Sequence, residues 1–202
     1  MLLKFKNILK NNNNNLIYFV VGEPSGDLHA SNLIKQINII TNNSKVFRGV
    51  GGPLMEKEGL VSVEDFRRLS VMGFLEVLKN LPFFLKLKKT IINDIEKQKP
   101  SSIILVDYPG FNLKIAKVVK ERFGIPVFYY ISPQLWAWKA RRVQIIKKYV
   151  DHLIAIFPFE VEWYKKRGVD VHFFGHPLVD IYKQKNIKKK YFKQKFNWNF
   201  SW

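Results

Sequence analysis

The sequence predicts an α/β fold with a doubly wound parallel sheet, similar to a Rossmann fold. Apolar runs alternate with segments of helical spacing along most of the chain, as in such sheets. The run 16–21 is unbroken and apolar, which is typical of a strand buried on both faces. It leads through Gly22-Glu23-Pro24-Ser25-Gly26-Asp27 into a helix. Strand, glycine-containing loop and helix in this order often form a ligand site at the carboxyl end of a strand.

The remaining elements follow from the same two periodicities. We predict strands at 46–50, 60–63, 102–106, 126–131, 152–156 and 171–174. We predict helices at 28–37, 54–58, 69–78, 83–97, 113–123, 141–149 and 159–167. Pro82 should separate the third and fourth of these helices, because proline breaks a helix interior.

The amino-acid composition limits the functions that this protein can have. The chain has 202 residues, a formal net charge of +18 and no cysteine. The absence of cysteine excludes disulfides, thiol catalysis and thiolate metal sites. The positive charge favours polyanions or an anionic membrane surface as partners. A genome bias towards lysine, asparagine, isoleucine and phenylalanine codons would produce the same charge without any such function.

The chain divides into three segments by composition. Residues 1–15 carry an asparagine run and should form a weakly ordered extension. Residues 16–182 should form the Rossmann-like domain, and 183–202 a lysine-rich tail or truncated linker. The amino terminus is a poor secretory signal because lysines interrupt its apolar run. We therefore expect a cytoplasmic protein.

Asp107 is the strongest candidate for chemistry. It directly follows four apolar residues, so its carboxylate should lie at the sheet edge, partly removed from water. Such a carboxyl group could act as a general base or orient a substrate hydroxyl. An equally good interpretation is that Asp107 caps the following helix or supports the turn at Pro109.

The loop that holds Glu23 and Asp27 favours sugar hydroxyls over a nucleotide phosphate. Backbone N–H groups at a helix N-terminus suit phosphate, but two carboxylates would repel it. Neither a dinucleotide fingerprint nor a Lys-Ser/Thr phosphate loop is present. N-capping by Ser25 or Asp27 is the alternative, and it would leave the other side chains free.

A third loop, after the predicted strand 126–131, combines aromatic and basic residues. Trp136 and Trp138 lie beside Arg141 and could stack sugars or approach a lipid phosphate. Large aromatics usually pack in a core, and we expect one tryptophan to do so. The four histidines are too scattered for a metal site, and only His176, between glycine and proline at a strand end, is a good site candidate.

With these loops identified, the chain resembles the N-terminal half of the lipid-A-disaccharide synthases, glycosyltransferases of the two-Rossmann-domain (GT-B) type. Seven segments occur in the order of that family between about residue 16 and residue 182. They are Gly22-Glu23-Pro24-Ser25-Gly26-Asp27, Gly51-Gly52-Pro53, Val71-Met72-Gly73 with Glu76-Val77-Leu78, Asp107-Tyr108-Pro109-Gly110-Phe111-Asn112, Ser132-Pro133-Gln134-Leu135-Trp136-Ala137-Trp138, Phe157-Pro158-Phe159-Glu160 and Gly175-His176-Pro177.

The resemblance implies an inverting hexosyltransferase of lipid A biosynthesis. Such an enzyme transfers 2,3-diacylglucosamine from its UDP derivative to 2,3-diacylglucosamine 1-phosphate, which gives the β-1,6-linked disaccharide 1-phosphate and UDP. It implies that Asp107 is the catalytic aspartate, and it implies no cofactor, no metal and no nucleic acid. Substrate-binding positions would be Glu23, Ser25, Gly26, Asp27, Met72, Asn112, Ser132, Gln134, Trp136, Trp138, Arg141 and His176.

Both implied substrates carry acyl chains, so we expect access from an anionic membrane. The segment from Val71 to Lys89 has more apolar residues than one core-facing stripe needs, with lysines beside them. The predicted membrane-facing residues are Val71, Phe74, Leu75, Leu78, Phe83 and Phe84. An ordinary pair of buried helices is the alternative. The implied location is the inner face of the inner membrane.

This chain differs from the family pattern at two points. Gly110 stands where the family commonly has a second acidic residue. The second GT-B domain, which holds most UDP contacts in the family, would have to be supplied in cis or in trans. We therefore expect this chain alone to be inactive. The competing hypothesis is a domain that binds acylated sugars or membranes and catalyses nothing.

Overall fold

The protein is described by a computed structural model over residues 14–66, 81–137 and 140–184. The described strands are β1 (Leu16–Val21), β2 (Val46–Val50), β3 (Leu60–Ser62), β4 (Ser102–Val106), β5 (Val127–Tyr130), β6 (His152–Ala155) and β7 (Val171–Phe173). The described α-helices are α1 (Pro24–Thr41), α2 (Pro53–Lys57), α3 (Leu81–Gln98), α4 (Pro109–Phe123), α5 (Val143–Tyr149), α6 (Pro158–Lys165) and α7 (Pro177–Gln184). A 3₁₀ turn, Ala140–Arg142, precedes α5.

The strands form one seven-stranded sheet in the order β3-β2-β1-β4-β5-β6-β7, and every pairing is parallel. The prediction of a doubly wound parallel sheet is confirmed. The strand order reverses between β1 and β4, where Ile17 pairs with Ser102 and Val21 with Val106. Such a reversal opens a crevice at the carboxyl ends of the strands, where ligands bind in open α/β sheets.

Both faces of the sheet are buried, as the unbroken apolar strands predict. Tyr18 and Val20 of β1 point into a core with helices α3, α4 and α5. Ile17, Phe19 and Val21 point into the opposite core, with α1 and α2. Side chains alternate between the faces because the strand period is two. One strand therefore contributes to both layers of the domain.

Prolines set the helix boundaries differently from the prediction. Helix α1 begins at Pro24 and α4 at Pro109, each four residues before its predicted start. Proline fits the first turn, where its missing N–H has no intrahelical partner. Pro82 likewise lies in the first turn of α3 and does not interrupt it. The predicted helix 69–78, the extension up to residue 13 and the tail from residue 185 lie outside the described residues.

Gly49 in β2 provides a test of this packing. Its φ is +138°, and an added Cβ would meet the Phe19 carbonyl oxygen and lie 2.8 Å from the Phe19 nitrogen in β1. We expect Gly49→Ala to lower the free energy of unfolding by about 2 kcal/mol or more, because the backbone of Phe19 cannot move aside without distorting the sheet. Thermal denaturation should then show a loss of about 2–4 °C per kcal/mol.

Gly110→Ala is the matched control for that substitution. An added Cβ there meets nothing within 4 Å, and the residue lies in the first turn of α4. Alanine in place of a helical glycine should be neutral or stabilising by about 0.5–1 kcal/mol. A Gly49→Ala protein as stable as the Gly110→Ala protein would contradict the packing described here.

Candidate functional site

The loops after β1 and β4 meet at the point where the strand order reverses. The Tyr108 ring covers Gly22 so closely that an added Cβ on the glycine would lie 2.8 Å from its Cδ1. Glu23 stands at the N-cap of α1, and Asp107 immediately precedes the N-cap of α4. Two carboxyl groups from separate loops therefore share one edge of the sheet.

Asp107 leaves β4 in an unusual backbone conformation. Asp107 and Tyr108 have φ values of 46° and 50°, in the left-handed region that residues other than glycine rarely adopt. The Asp107 N–H donates to the Tyr130 carbonyl, 3.1 Å away. The N–H groups of Phe111 and Asn112 donate to the Tyr108 carbonyl at 3.2 and 3.0 Å. The turn thus ends the strand abruptly and begins α4 at once.

Burial raises the pKa of Asp107, because a carboxylate loses hydration there, and a hydrogen bond from the Tyr108 N–H partly opposes the rise. The pKa of Glu23 is also raised, by partial burial and then by the Asp107 charge. Burial and the Glu23 charge raise the pKa of Tyr108. Each of the two carboxyl groups is therefore a better proton acceptor, when ionised, than an exposed one.

Asp27 and Gly26 have structural roles, in contrast to their predicted contact with substrate. Asp27 is buried, and its carboxylate accepts hydrogen bonds from the N–H groups of Gly52, Leu54 and Met55 at 3.0–3.1 Å. It thereby fixes the turn into α2. Gly26 is buried against Val21, whose Cγ1 would lie 2.8 Å from an added Cβ. Both residues seat α1 and α2 beneath the site.

Asn112 and Ser132 are also turned inward, so their predicted binding roles are corrected in the same way. The Asn112 side chain is fully buried, and its Nδ2 lies within 2.8–3.3 Å of the carbonyl oxygens of Val20, Val106 and Asp107. The buried Ser132 donates from Oγ to Glu160 Oε2 at 2.8 Å. Polar side chains at the strand ends satisfy backbone and carboxylate groups that water cannot reach.

Glu160 was not predicted as a site residue, yet it organises the loop that follows β5. It is fully buried in α6, and its Oε1 accepts a hydrogen bond from Trp136 Nε1 at 3.3 Å. Its Oε2 accepts from Ser132 and from the N–H groups of Ile156 and Phe157, the latter two at 3.2 Å. These four donors compensate the buried carboxylate, and they fix the position of Trp136.

The other predicted site residues keep side-chain surface for a ligand. Trp136 is 41% exposed and packs its ring edge-on against Phe159, 5.1 Å away. His176 is half-buried, with its ring 5.5 Å from that of Phe157. Burial lowers the pKa of His29, and the nearby His176 lowers it further. Ser25, Gln134 and Arg141 are exposed. Met72 and Trp138 lie outside the described residues.

The predicted membrane-facing set is wrong at Phe84. Phe84 is 7% exposed, with its ring 6.2 Å from Tyr108 and 5.8 Å from Phe111, so it belongs to the core beneath the site. Phe83 is partly buried against the same core. On α3 the exposed apolar residues are Leu81 and Leu85, at 53% and 60%. Val71, Phe74, Leu75 and Leu78 lie outside the described residues.

The described residues contain neither a metal-binding cluster nor a membrane-spanning helix. No three side chains among His, Asp and Glu gather there as a metal-binding group would. None of the helices in the described ranges combines the length and apolar character needed to cross a membrane. Carboxylates, an indole, a guanidinium and an imidazole follow the carboxyl ends of the parallel strands.

A Rossmann-like sheet with two carboxyl groups at its strand reversal places the chain in the class of open α/β domains, which commonly bind small molecules at that edge. Residues 17–198 match the family described as lipid-A-disaccharide synthetase, and the chain belongs to that family. The seven-stranded parallel sheet is consistent with the N-terminal domain of a GT-B fold.

Curated relatives agree with the family match. The chain is 44% identical over 163 residues to lipid-A-disaccharide synthase 1 of Legionella pneumophila (strain Paris), which is 81% of this chain and 42% of the relative. It is 45% identical over 167 residues to the lipid-A-disaccharide synthase of Geobacter metallireducens, covering 83% of this chain and 43% of the relative. The chain thus spans about two-fifths of the length of these relatives.

The raised pKa of Asp107 gives a prediction for stability. A carboxyl group whose folded pKa exceeds its unfolded value, about 3.9, costs stability as the pH rises from that value through the folded pKa. We expect Asp107→Asn, which cannot ionise, to unfold at a higher temperature than the wild type at pH 7. The difference should disappear below about pH 4, where the wild-type carboxyl is also neutral.

Asp170→Asn is the control for this pH series, because Asp170 is 80% exposed. Its melting temperature should follow that of the wild type across the range. An Asp107→Asn protein that melts below the wild type at pH 7 would contradict the prediction, since the ionised carboxylate would then be a net stabilising group.

Proposed function

We propose that this chain forms the acceptor-binding domain of a lipid-A-disaccharide synthase. The reaction would join 2,3-diacylglucosamine, taken from its UDP derivative, to 2,3-diacylglucosamine 1-phosphate through a β-1,6 linkage, with release of UDP. The observation that carries the proposal is the half-buried Asp107, which lies at the strand reversal in a chain of this family. The second half of the cleft and most contacts to UDP would come from another domain.

Asp107 would act as the general base of this reaction. The ionised carboxylate accepts the proton of the acceptor 6-hydroxyl while that oxygen attacks the anomeric carbon of the donor. The bond from that carbon to the diphosphate breaks on the opposite face, and UDP leaves with the electron pair. The raised pKa supports this role, because a base works best when its pKa approaches the working pH.

Other residues at the same edge are suited to holding the acceptor sugar. The exposed face of Trp136 would stack against the sugar, and its indole is fixed from behind by Glu160. Glu23 would accept a hydrogen bond from a sugar hydroxyl beside Asp107. The exposed guanidinium of Arg141 would attract the 1-phosphate. These assignments remain predictions from residue type and position.

Activity should depend on Asp107. The assay uses a chimera in which residues 16–182 replace the matching segment of the Geobacter metallireducens synthase, supplied with both substrates while UDP release is followed. We expect Asp107→Asn to lower kcat by about 10²–10⁴-fold, the usual cost of removing a general base. The exposed Asp170→Asn should leave kcat unchanged. Near-normal turnover of the Asp107→Asn chimera would reject the assignment.

A second candidate activity, binding to an anionic membrane surface, is favoured by α3. Leu81 and Leu85 are exposed on its first turns, and Lys86, Lys88 and Lys89 follow directly. Apolar side chains beside lysines suit an interface of anionic lipid. The alternative is that this face packs against other parts of the protein. The acyl chains of both proposed substrates would enter the site from such an interface.

Vesicle binding should depend on Leu81 and Leu85. The experiment is co-sedimentation with phosphatidylglycerol vesicles, with Leu81 and Leu85 both changed to Ser. We expect affinity to fall by about tenfold or more, because each leucine would lose about 1 kcal/mol of burial. The matched control changes Ile39 and Val61, which are 61% and 51% exposed on other elements, to Ser. Equal losses in both double variants would argue against α3 as the membrane contact.

A further inference from the structure

The backbone carbonyl of Asp107 is held by two buried side chains that the proposed reaction does not use. The Tyr129 hydroxyl donates to this oxygen at 2.6 Å, and Asn112 Nδ2 lies 2.8 Å from it. Both residues have a relative exposure of 0%. Tyr129 comes from β5 and Asn112 from α4, so separate elements converge on one oxygen atom. We call these two hydrogen bonds the carbonyl clamp.

The clamp acts on a peptide unit that is conformationally unfavourable. Left-handed φ values at both Asp107 and Tyr108 cost of order 1–3 kcal/mol each for residues other than glycine. Such a conformation persists only where its surroundings impose it. The clamp supplies that constraint, because it grips the carbonyl oxygen between the two residues.

The position of this peptide also governs the direction of the Asp107 side chain. The C=O and N–H of a trans peptide point in opposite directions within one plane. When the clamp holds the Asp107 oxygen on the inner side, the Tyr108 N–H is turned towards the outer side. The Asp107 carboxylate branches from the Cα that is bonded to the clamped carbonyl carbon, so holding this peptide with Asp107 at a φ of 46° also fixes the direction of the Cα–Cβ bond. The influence of the Tyr108 N–H, which partly lowers the pKa of this carboxyl group, agrees with that arrangement.

We propose that Tyr129 and Asn112 are positioning residues that orient the Asp107 carboxylate for proton transfer by holding the Asp107–Tyr108 peptide in its left-handed conformation. This inference rests on the proposed function, since it explains how the carboxylate of Asp107, the proposed general base, is oriented. Neither side chain touches the substrate. Their effect passes through the backbone to the carboxylate.

Both members of the clamp are fixed as donors. Burial, and then the charge of Asp107, raise the pKa of Tyr129 well above its usual value, so the hydroxyl keeps its proton throughout the working range. The Asn112 amide faces the carbonyl oxygens of Val20 and Val106 as well, so only its nitrogen is compatible with this position. The clamp is thereby anchored to the ends of β1 and β4.

Tyr129→Phe tests the clamp because it removes one hydroxyl and keeps the aromatic ring. In the chimera described above, we expect kcat to fall about tenfold to a hundredfold, because a small misplacement of a reacting group lowers the rate by about that much. KM should stay within about twofold, since no group that touches the substrate has changed. Asp107→Asn is measured alongside it.

Tyr149→Phe is the matched control. Tyr149 is also buried, at 7% exposure, and its hydroxyl donates to Glu121 Oε1 at 2.7 Å, remote from the loop after β4. Thermal denaturation of each variant separates loss of stability from loss of alignment. We expect the two tyrosine variants to lose similar stability, while only Tyr129→Phe loses kcat.

The outcomes distinguish the clamp from the proposed function. An unchanged kcat in Tyr129→Phe, beside an inactive Asp107→Asn, would overturn the clamp and leave the general base in place. Equal losses of kcat in Tyr129→Phe and Tyr149→Phe would also overturn it, as would a loss confined to KM. A fully active Asp107→Asn would overturn the proposed function itself.

Discussion

The pairing of β1 with β4 sets the positions of Glu23 and Asp107, the two carboxyl groups that share an edge of the sheet. The two strands are adjacent in the sheet, but β2, β3 and the described helices α1, α2 and α3 lie between them in the chain. They run in register from Ile17 with Ser102 to Val21 with Val106. Their carboxyl ends therefore coincide, and the loops that follow must diverge to opposite faces. The space between those loops is the candidate site, and the Tyr108 ring over Gly22 marks where they meet. Because the paired residues are buried, and all but Ser102 are hydrophobic, the candidate site rests on the most protected part of the fold.

The carboxylates of Asp27, Glu160 and Asp107 near this edge differ in the number of hydrogen bonds that they accept, and this difference separates structural carboxylates from a reactive one. Asp27 accepts hydrogen bonds from three backbone N–H groups, and Glu160 has four donors. Buried carboxylates with such complete compensation are suited to fixing loops and are poor at exchanging protons. Asp107 is held differently, because the side chains of Tyr129 and Asn112 donate to its carbonyl oxygen and not to its carboxylate. Of these three carboxylates, that of Asp107 is therefore the one with unsatisfied capacity to accept a proton.

The sequence predicts the fold well because parallel sheets have a simple signature. Unbroken apolar runs identify the strands, and they lie where expected to within a residue or two. Asp107 was identifiable for the same reason, since a charge directly after a buried strand must lie at the sheet edge. Tyr129 was not, because a tyrosine inside the run Val-Phe-Tyr-Tyr resembles any other core aromatic. Only the tertiary pairing of β4 with β5 reveals that its hydroxyl reaches Asp107.

The errors have physical causes too. Asp27, Asn112 and Ser132 are polar residues at strand or helix ends, and such residues bind a ligand or satisfy the backbone according to which way they point. One sequence carries no information on that direction. Phe84 belongs to an apolar stripe with period 3.6, and the stripe shows that one face of α3 is buried without showing which neighbour buries it. In the structure that neighbour is Tyr108 together with Phe111, so α3 supports the site from below.

Stability and function oppose each other at the end of β4. Two consecutive left-handed residues and a carboxyl group whose pKa is raised by burial each reduce the free energy of unfolding. A domain selected for stability alone would have glycine at the two positions with left-handed φ values. It would have a neutral side chain in place of the partly buried Asp107 carboxylate. Here the cost is offset locally, by the hydroxyl of Tyr129, the amide of Asn112 and the aromatic packing of Tyr108. Since those groups compensate the same short segment that holds the reactive carboxylate, the strain and the chemistry of this site have one structural origin.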